Sequence, residues 1–360
     1  MFSGGYMKKK LDIIIPAYNA HNTIYRTLAS IMIQVNKDDL NVLIVDDCSD
    51  KGYAEFVDYY SKYYSISEIR MEENGGPGVA RQIGIDNTES PFFTCIDADD
   101  TFAGPFVLRE VLRQLEEDPK SCMISSVFIE EQEFPEGSFQ YLPHQQDMIW
   151  MFGKIYRRKF INEHNIRFNK TRANEDNGFN TLIKLCANEN EQIKFSADVM
   201  YNWHINLNSI TRKNNCEYSY NQSFPGYTDN MIYAIIEAKK KNPFNGYIML
   251  FSIEVMCNLY EYYIETVARD KRFAEQNFEA CCRFYNAVYK KIEPEVTDEI
   301  LSQVYNSIMR NVYMGDKMAG IIPCMGIKEF FKELHEACQD YQDIEILEPW
   351  PKNKISITKP

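Results

Sequence analysis

The first 130 residues alternate between short apolar runs and amphipathic stretches, and this alternation constrains the fold more than any other feature of the chain. LDIIIPAYN, residues 11–19, has the pattern of a buried strand that ends at a turn. From His21 to Val35, apolar residues then recur at helical spacing (Ile24, Leu28, Ile31, Met32, Val35). NVLIVDD gives a second buried strand, Tyr53 to Tyr64 a second helix, ISEIRMEE a weaker third strand, and Gly78 to Asp86 a third helix after a glycine-rich turn. FFTCIDADD reads as a fourth strand closing in carboxylates, and Pro105 opens a helix from Phe106 to Glu117. SCMISSVFIEE is a further strand that leads to a hairpin around Pro135, Glu136 and Gly137. Such an order predicts an α/β fold, with a Rossmann-like, mostly parallel sheet flanked by helices on both faces.

Ligands on sheets of this kind bind beyond the carboxyl ends of the strands. The residues just past those ends are Tyr18 and Asn19, Asp46 and Asp47, Gly75 and Gly76, and Asp97 to Asp100, so four polar or flexible clusters are expected on one edge. From about residue 225 the pattern changes to long amphipathic stretches rich in Tyr, Met and Phe. The expected organisation is an α/β domain over 8–220, a helical accessory domain over 225–345, and an extended tail over 346–360.

With 45% hydrophobic and 25% charged residues in 360, the chain can bury a sizeable core. Its formal net charge of −13 disfavours a grip on polyphosphate backbones, so nucleic acid is retained only as a less favoured acceptor. The ten cysteines form no CxxC pair and no zinc-like spacing with histidine, which suits a reducing cytoplasm. At the N-terminus, MFSGGYMKKK precedes only the short apolar run LDIII, unlike a secretion signal, and either Met1 or Met7 can be the native start. The apolar stretch from Tyr247 to Met256 contains Glu254 and is too short to span a bilayer. A soluble, cytoplasmic protein is the expectation.

Four constellations carry chemistry. In Asp97-Ala98-Asp99-Asp100, alternation along a strand would point Asp97 and Asp99 the same way. A hard divalent cation, Mn²⁺ or Mg²⁺ bridging to a diphosphate, relieves their repulsion; an acidic loop capping the next helix through Asp100 or Thr101 is the plainer reading. In Asn74-Gly75-Gly76-Pro77-Gly78-Val79-Ala80-Arg81, glycines allow close backbone approach and the helix start offers N–H groups to an anion, with Arg81 one turn in. A flexible turn with a solvated arginine is the alternative. Asp46 to Asp50 ends the second strand with carboxylates suited to a base N–H or a ribose hydroxyl, while Ser49 or Asp50 could cap the next helix. Finally, Glu175 and Asp176 open a helical pattern, where carboxylates serve either as helix-dipole partners or as a general base for an acceptor hydroxyl.

Taken in order, IIIPAYN, VDDCSD, NGGPGVARQIGI, IDADD, the stretch from Phe168 to Phe179 and YNWHINLNSIT resemble the family 2 glycosyltransferases, the inverting group with the GT-A fold. The resemblance covers roughly residues 10–213. It implies that Pro16, Ala17 and Tyr18 line a nucleotide base pocket, that Asp47 bonds the base, and that Arg81 and the glycine turn at Gly76 lie near base and diphosphate. It further implies that Asp97, with Ala98 beside it, faces ribose or the metal's waters, that Asp99 binds the metal, that Asp176 is the catalytic base and that Glu175 positions the acceptor or supports that base. By the same resemblance the domain over 8–220 is catalytic, and the helical domain over 225–345 can serve the acceptor. The segment from Trp203 to Thr211 resembles the loop that closes over the diphosphate, with His204 either a metal or phosphate ligand or a packed residue. Cys48 stands where relatives often have glycine.

The implied activity is transfer of a sugar from a nucleotide-sugar donor, with UDP-sugars the commoner family choice, to a hydroxyl of a bacterial or phage glycan or glycolipid. A protein or modified DNA base as acceptor, an inactive nucleotide-sugar-binding module, and a nucleotidyltransferase are the alternatives. PAYN stands where the last would carry a glycine-rich signature.

Overall fold

The computed structural model describes residues 9–134, 136–188, 190–206, 215–242, 246–309, 320–339 and 355–358. Residues 207–211 of the predicted closing loop and 346–354 of the predicted tail lie outside them. Two compact units are present: residues up to 170 with 187–207 and the terminal strand form one, and Thr171–Cys186 with the chain from 208 to 349 forms the other.

The first unit is built on one sheet. Strands β1 (Leu11–Ala17), β2 (Leu40–Asp46), β3 (Ser65–Met71) and β4 (Phe92–Cys95) lie side by side in the order β3-β2-β1-β4, and all three pairings are parallel. β5 (Thr101–Phe102), β6 (Ser121–Glu133), β7 (Phe139–His144), β8 (Lys154–Arg157) and β9 (Gln192–Trp203) extend it past β4 as a mixed region, ordered β4-β8-β6-β9-β5 with β7 paired to β6. The hairpin expected around residue 136 is the antiparallel β6–β7 pair. Residues 355–358 form β10, antiparallel to β3 at the far edge.

Alternation along β1 splits its apolar side chains between two layers. Leu11, Ile13 and Ile15 join the core formed with helices α1 (Ile24–Met32), α2 (Ala54–Tyr60) and α4 (Val107–Glu116). Ile14 points the other way, onto α3 (Pro77–Asp86). There Gly84 is required by space, since a Cβ at that position would stand 2.4 Å from the Ile14 Cγ2. Below this layer, Asp12, 1% exposed, accepts from the Arg158 guanidinium at 2.9 Å and from Ser90, which ties β1 to the start of α5 (Arg158–Glu163).

The second unit is helical. It contains α6 (Glu175–Cys186), α7 (Asn215–Tyr218), a π-helical turn over Ser219–Ser223, α8 (Phe224–Lys241), α9 (Gly246–Arg269), α10 (Ala274–Ala287), α11 (Asp298–Met309) and α12 (Ile327–Ala337). Ile232, Ile235, Met256, Leu259, Phe284 and Phe330 are among its fully buried side chains. Among the described residues no helix is long and apolar enough to cross a membrane, and the nine described cysteines are free thiols.

Gly84→Ala should lower stability by about 1–3 kcal/mol through overpacking of α3 on β1, read as an earlier midpoint in denaturant titration. In the second unit, Glu261 is 2% exposed, accepts from the Tyr305 hydroxyl at 2.7 Å, and leaves its other oxygen without a hydrogen bond. Burial raises its pKa above the usual carboxylate value. A raised carboxylate favours the fold below its unfolded pKa and loses that contribution as pH climbs through the folded pKa. Glu261→Gln should therefore melt above wild type at pH 7, with the gap closing as pH falls toward about 4; an equal gap at both pH values would contradict this.

Candidate functional site

Because β3, β2, β1 and β4 run the same way, their carboxyl ends meet along one edge, and the predicted clusters of the first unit gather there. The chain leaves β1 at Ala17, whose carbonyl accepts the Asp47 N–H at 2.8 Å. Pro16 is partly covered, Ala17 is buried and the Tyr18 ring is 57% exposed. Asn19 follows at φ +49, with its N–H on the Ser49 hydroxyl and its side-chain oxygen accepting from the Asp50 amide.

Asp46 and Asp47 divide their work. Buried Asp46 accepts from the Ser49 N–H at 2.8 Å and from the Arg70 guanidinium at 2.8 Å, so it shapes the turn after β2. Neither Ser49 nor Asp50 caps α2, whose cap residue is Tyr53 and has no side-chain cap bond. Cys48 sits at φ +63, a left-handed backbone that favours glycine, so the turn keeps its shape with cysteine in that place.

The Asp47 carboxylate, 4% exposed, accepts from the Gly75 N–H at 2.7 Å and the Gly76 N–H at 2.9 Å. The amides that sequence reading offers to a bound anion thus already face a carboxylate of the protein, at the start of α3 where negative charge is favoured. Gly76 adopts φ +87, a conformation that side-chain-bearing residues rarely adopt, and Pro77 starts the helix.

One turn into α3, Arg81 is buried and donates from Nη2 to Asp97 Oδ1 at 2.8 Å. The solvated-arginine reading is therefore excluded. Asp97 keeps 31% of its side chain exposed. The acidic run itself departs from expectation: β4 stops at Cys95, and Asp97 to Asp100 form a turn, closed by the Asp100 N–H on the Asp97 carbonyl at 3.1 Å. The turn forms because Asp100 is drawn inside, where it accepts from the Tyr201 hydroxyl at 2.5 Å and the His204 N–H at 2.8 Å, while Thr27 donates to the Asp100 carbonyl. Strand alternation therefore plays no part in placing Asp97 and Asp99, and Asp100 caps no helix. Ala98 is buried between them.

Asp99 is partly buried and accepts from the Asn206 side-chain amide at 2.6 Å. Burial, and then the charge of Asp97, raises its pKa; Asn206 and the cationic Arg26 of α1 pull the other way. Arg26 was not legible in sequence, since only the packing of α1 against this turn brings it into range. His204 has both ring nitrogens in use, Nε2 with the Thr101 hydroxyl at 2.8 Å and Nδ1 with Glu131 at 2.9 Å, so acting as a metal ligand would break one of those contacts. Among the described residues no group of three or more His, Cys, Asp or Glu side chains forms a metal cluster. Two mutually repelling carboxylates still fit Mg²⁺ or Mn²⁺, which take one or two carboxylates and fill the remaining positions with water and substrate phosphate.

Glu175 and Asp176 lie in the second unit, in the first turn of α6. Glu175 is buried and Asp176 half-buried. Tyr218, at the end of α7, senses both: burial, then the Glu175 and Asp176 charges, raises its pKa and keeps the phenol protonated. Sequence reading did not single out Tyr218.

Comparison with known proteins follows the same lines. Residues 12–177 match the sequence family described as Glycosyl transferase family 2. The chain is 25% identical over 190 residues to the Staphylococcus aureus poly(ribitol-phosphate) beta-N-acetylglucosaminyltransferase TarS, covering 50% of this chain and 33% of that one. It is 29% identical over 172 residues to the Staphylococcus epidermidis teichoic acid poly(glycerol phosphate) polymerase, covering 45% and 24%. The chain thus spans about a quarter to a third of the length of these relatives. In fold, it resembles the crystal structure of S. aureus TarS 1-349 in complex with UDP-GlcNAc, with a TM-score of 0.58, 18% identity and 91% of each chain covered.

Asp47→Asn should destabilise the first unit by about 1–3 kcal/mol, because an amide can no longer accept from both glycine N–H groups and sets its own N–H against one of them. Denaturant titration reads this, and an unchanged midpoint would show that the glycine turn holds without the carboxylate.

Proposed function

Residues 12–177 belong to glycosyl transferase family 2, and from that premise we propose that the chain is an inverting enzyme that moves a sugar from a UDP-sugar to a hydroxyl of a bacterial or phage glycan or polyol-phosphate polymer. One observation carries this reading: buried Arg81 paired with Asp97, and Asp99 close by, where four parallel strands end. Such an array offers one fixed cation and two carboxylates to a diphosphate and its counter-ion. The related TarS carries a poly(ribitol-phosphate) acceptor in its name, and its structures are titled with UDP and UDP-GlcNAc, so uridine donors and polyol-phosphate chains are the first candidates.

In this reading Pro16, Ala17 and the exposed Tyr18 ring hold the base. Asp47 fixes the glycine turn and bonds the base. Arg81 sets positive potential near the diphosphate. Asp99 and Asp97 hold Mn²⁺ or Mg²⁺, which when bound supplies Lewis-acid stabilisation of the departing diphosphate. The acceptor oxygen attacks the anomeric carbon as the bond to the β-phosphate oxygen breaks, and UDP leaves with that electron pair. Asp176 takes the acceptor proton, and Glu175 orients the acceptor.

UDP and UDP-N-acetylglucosamine should raise the melting temperature in the presence of Mn²⁺, and Asp99→Ala should abolish that rise. No stabilisation of wild type by any nucleoside diphosphate would overturn the donor-site reading. Asp176→Asn should cut turnover by about 10²–10⁴-fold while UDP binding survives. Loss of UDP binding in that variant would instead assign Asp176 a structural role.

A further inference from the structure

The turn that presents Glu175 and Asp176 is shaped by a helix beyond the family match. Asn230 lies in α8, fully buried. Its side-chain Nδ2 is within hydrogen-bond distance of the Thr171 hydroxyl at 2.7 Å, the Ala173 carbonyl at 3.0 Å and the Gly226 carbonyl of its own helix at 2.8 Å. Two of these three acceptors belong to the segment that runs directly into α6. Asn174, held at φ +59, donates its side-chain amide to the Ser223 carbonyl and hydroxyl, both at 2.9 Å, and so ties the same segment to the π-helical turn before α8.

Two glycines allow this close approach. A Cβ on Gly226 would stand 2.6 Å from the Ala173 carbonyl oxygen, and one on Gly178 would stand 2.6 Å from Asn230 Oδ1. The arrangement carries a cost, because Asn230 Oδ1 is buried without a hydrogen-bond partner. An orphaned buried acceptor of this kind is destabilising, and a non-glycine residue in the left-handed region adds to it. An apolar residue facing an ordinary loop would avoid both. What the polar clamp provides is one fixed path for residues 171–174, and hence one angle at which α6 begins.

We propose that Asn230 is a positioning residue for the catalytic carboxylate: through Thr171 and Ala173 it fixes the turn from which Asp176 meets the acceptor hydroxyl. This rests on the reading of Asp176 as the base. Displacement of a catalytic group by about 1 Å can cost 10²-fold in rate without touching donor affinity, so the signature lies in kcat and not in donor binding.

The test uses the full chain, UDP titration for donor affinity, and UDP release from UDP-N-acetylglucosamine, UDP-glucose or UDP-galactose with poly(ribitol phosphate) as acceptor. Asn230→Asp keeps the shape and removes both donors. Its kcat should fall about 10–100-fold, with UDP affinity within twofold of wild type. Hydrogen–deuterium exchange over residues 171–178 should rise. Phe284→Leu, in the α10 core of the same unit, is the stability control and should lower the melting temperature without moving kcat at an assay temperature below both transitions. Should Asn230→Asp fail to fold, Gly226→Ala, which pushes on the Ala173 carbonyl, decides by the same readouts. Unchanged kcat and exchange in a folded variant, or a kcat loss that Phe284→Leu reproduces, overturns the inference. Asp176→Asn run alongside separates the two levels. Normal turnover there removes the base assignment and this inference with it, whereas loss there beside normal turnover in Asn230→Asp removes this inference alone.

Discussion

The Asp47 carboxylate, receiving the amides of Gly75 and Gly76, is the contact on which the carboxyl-end edge of the parallel strands depends. It joins the end of β2 to the start of α3 and so sets where that helix begins. Arg81, one turn further, then falls against Asp97 at the end of β4. Three strand ends are therefore linked through one buried carboxylate, one glycine turn and one buried guanidinium. The pieces are interdependent: Gly76 must be glycine for the turn to reach Asp47, and α3 must sit close on β1, which Gly84 permits, for Arg81 to reach Asp97.

The acidic turn shows how burial assigns different roles to neighbouring carboxylates. Asp100 is enclosed by Tyr201, His204 and Thr27 and serves the fold. Asp97 answers Arg81 and stays partly exposed, and Asp99, raised by burial and by its neighbour, is left with Asn206. Of the three carboxylates in this turn, Asp97 and Asp99 are partly exposed and Asp100 is buried. His204, which sequence leaves open as either a ligand or a packed residue, is held by Thr101 and Glu131 from strands on either side of its own segment.

Glu175 and Asp176 belong to the other unit. The family match ends at residue 177, while the residues that shape the turn before Asp176 (Ser223, Gly226 and Asn230) come about fifty residues later. The helical region therefore supports the segment 171–174 that leads into α6.

The sequence by itself determined the strand and helix order over about the first 130 residues, a mostly parallel sheet there, a helical C-terminal region and the cluster of polar residues at strand ends. These follow from apolar periodicity and from turn chemistry, which are local. It could not determine that β4 stops two residues before Asp97, because the pull comes from Tyr201 and His204, a hundred residues away. Nor could it foresee that Asp47 takes the glycine amides, that Arg26 stands near Asp99, or that Asn230 clamps the approach to Asp176. Each of those is a contact between segments far apart in the chain, made only when packing closes the distance, and no spacing rule encodes it. Tertiary structure alone decided which of several plausible polar residues are used to hold the fold.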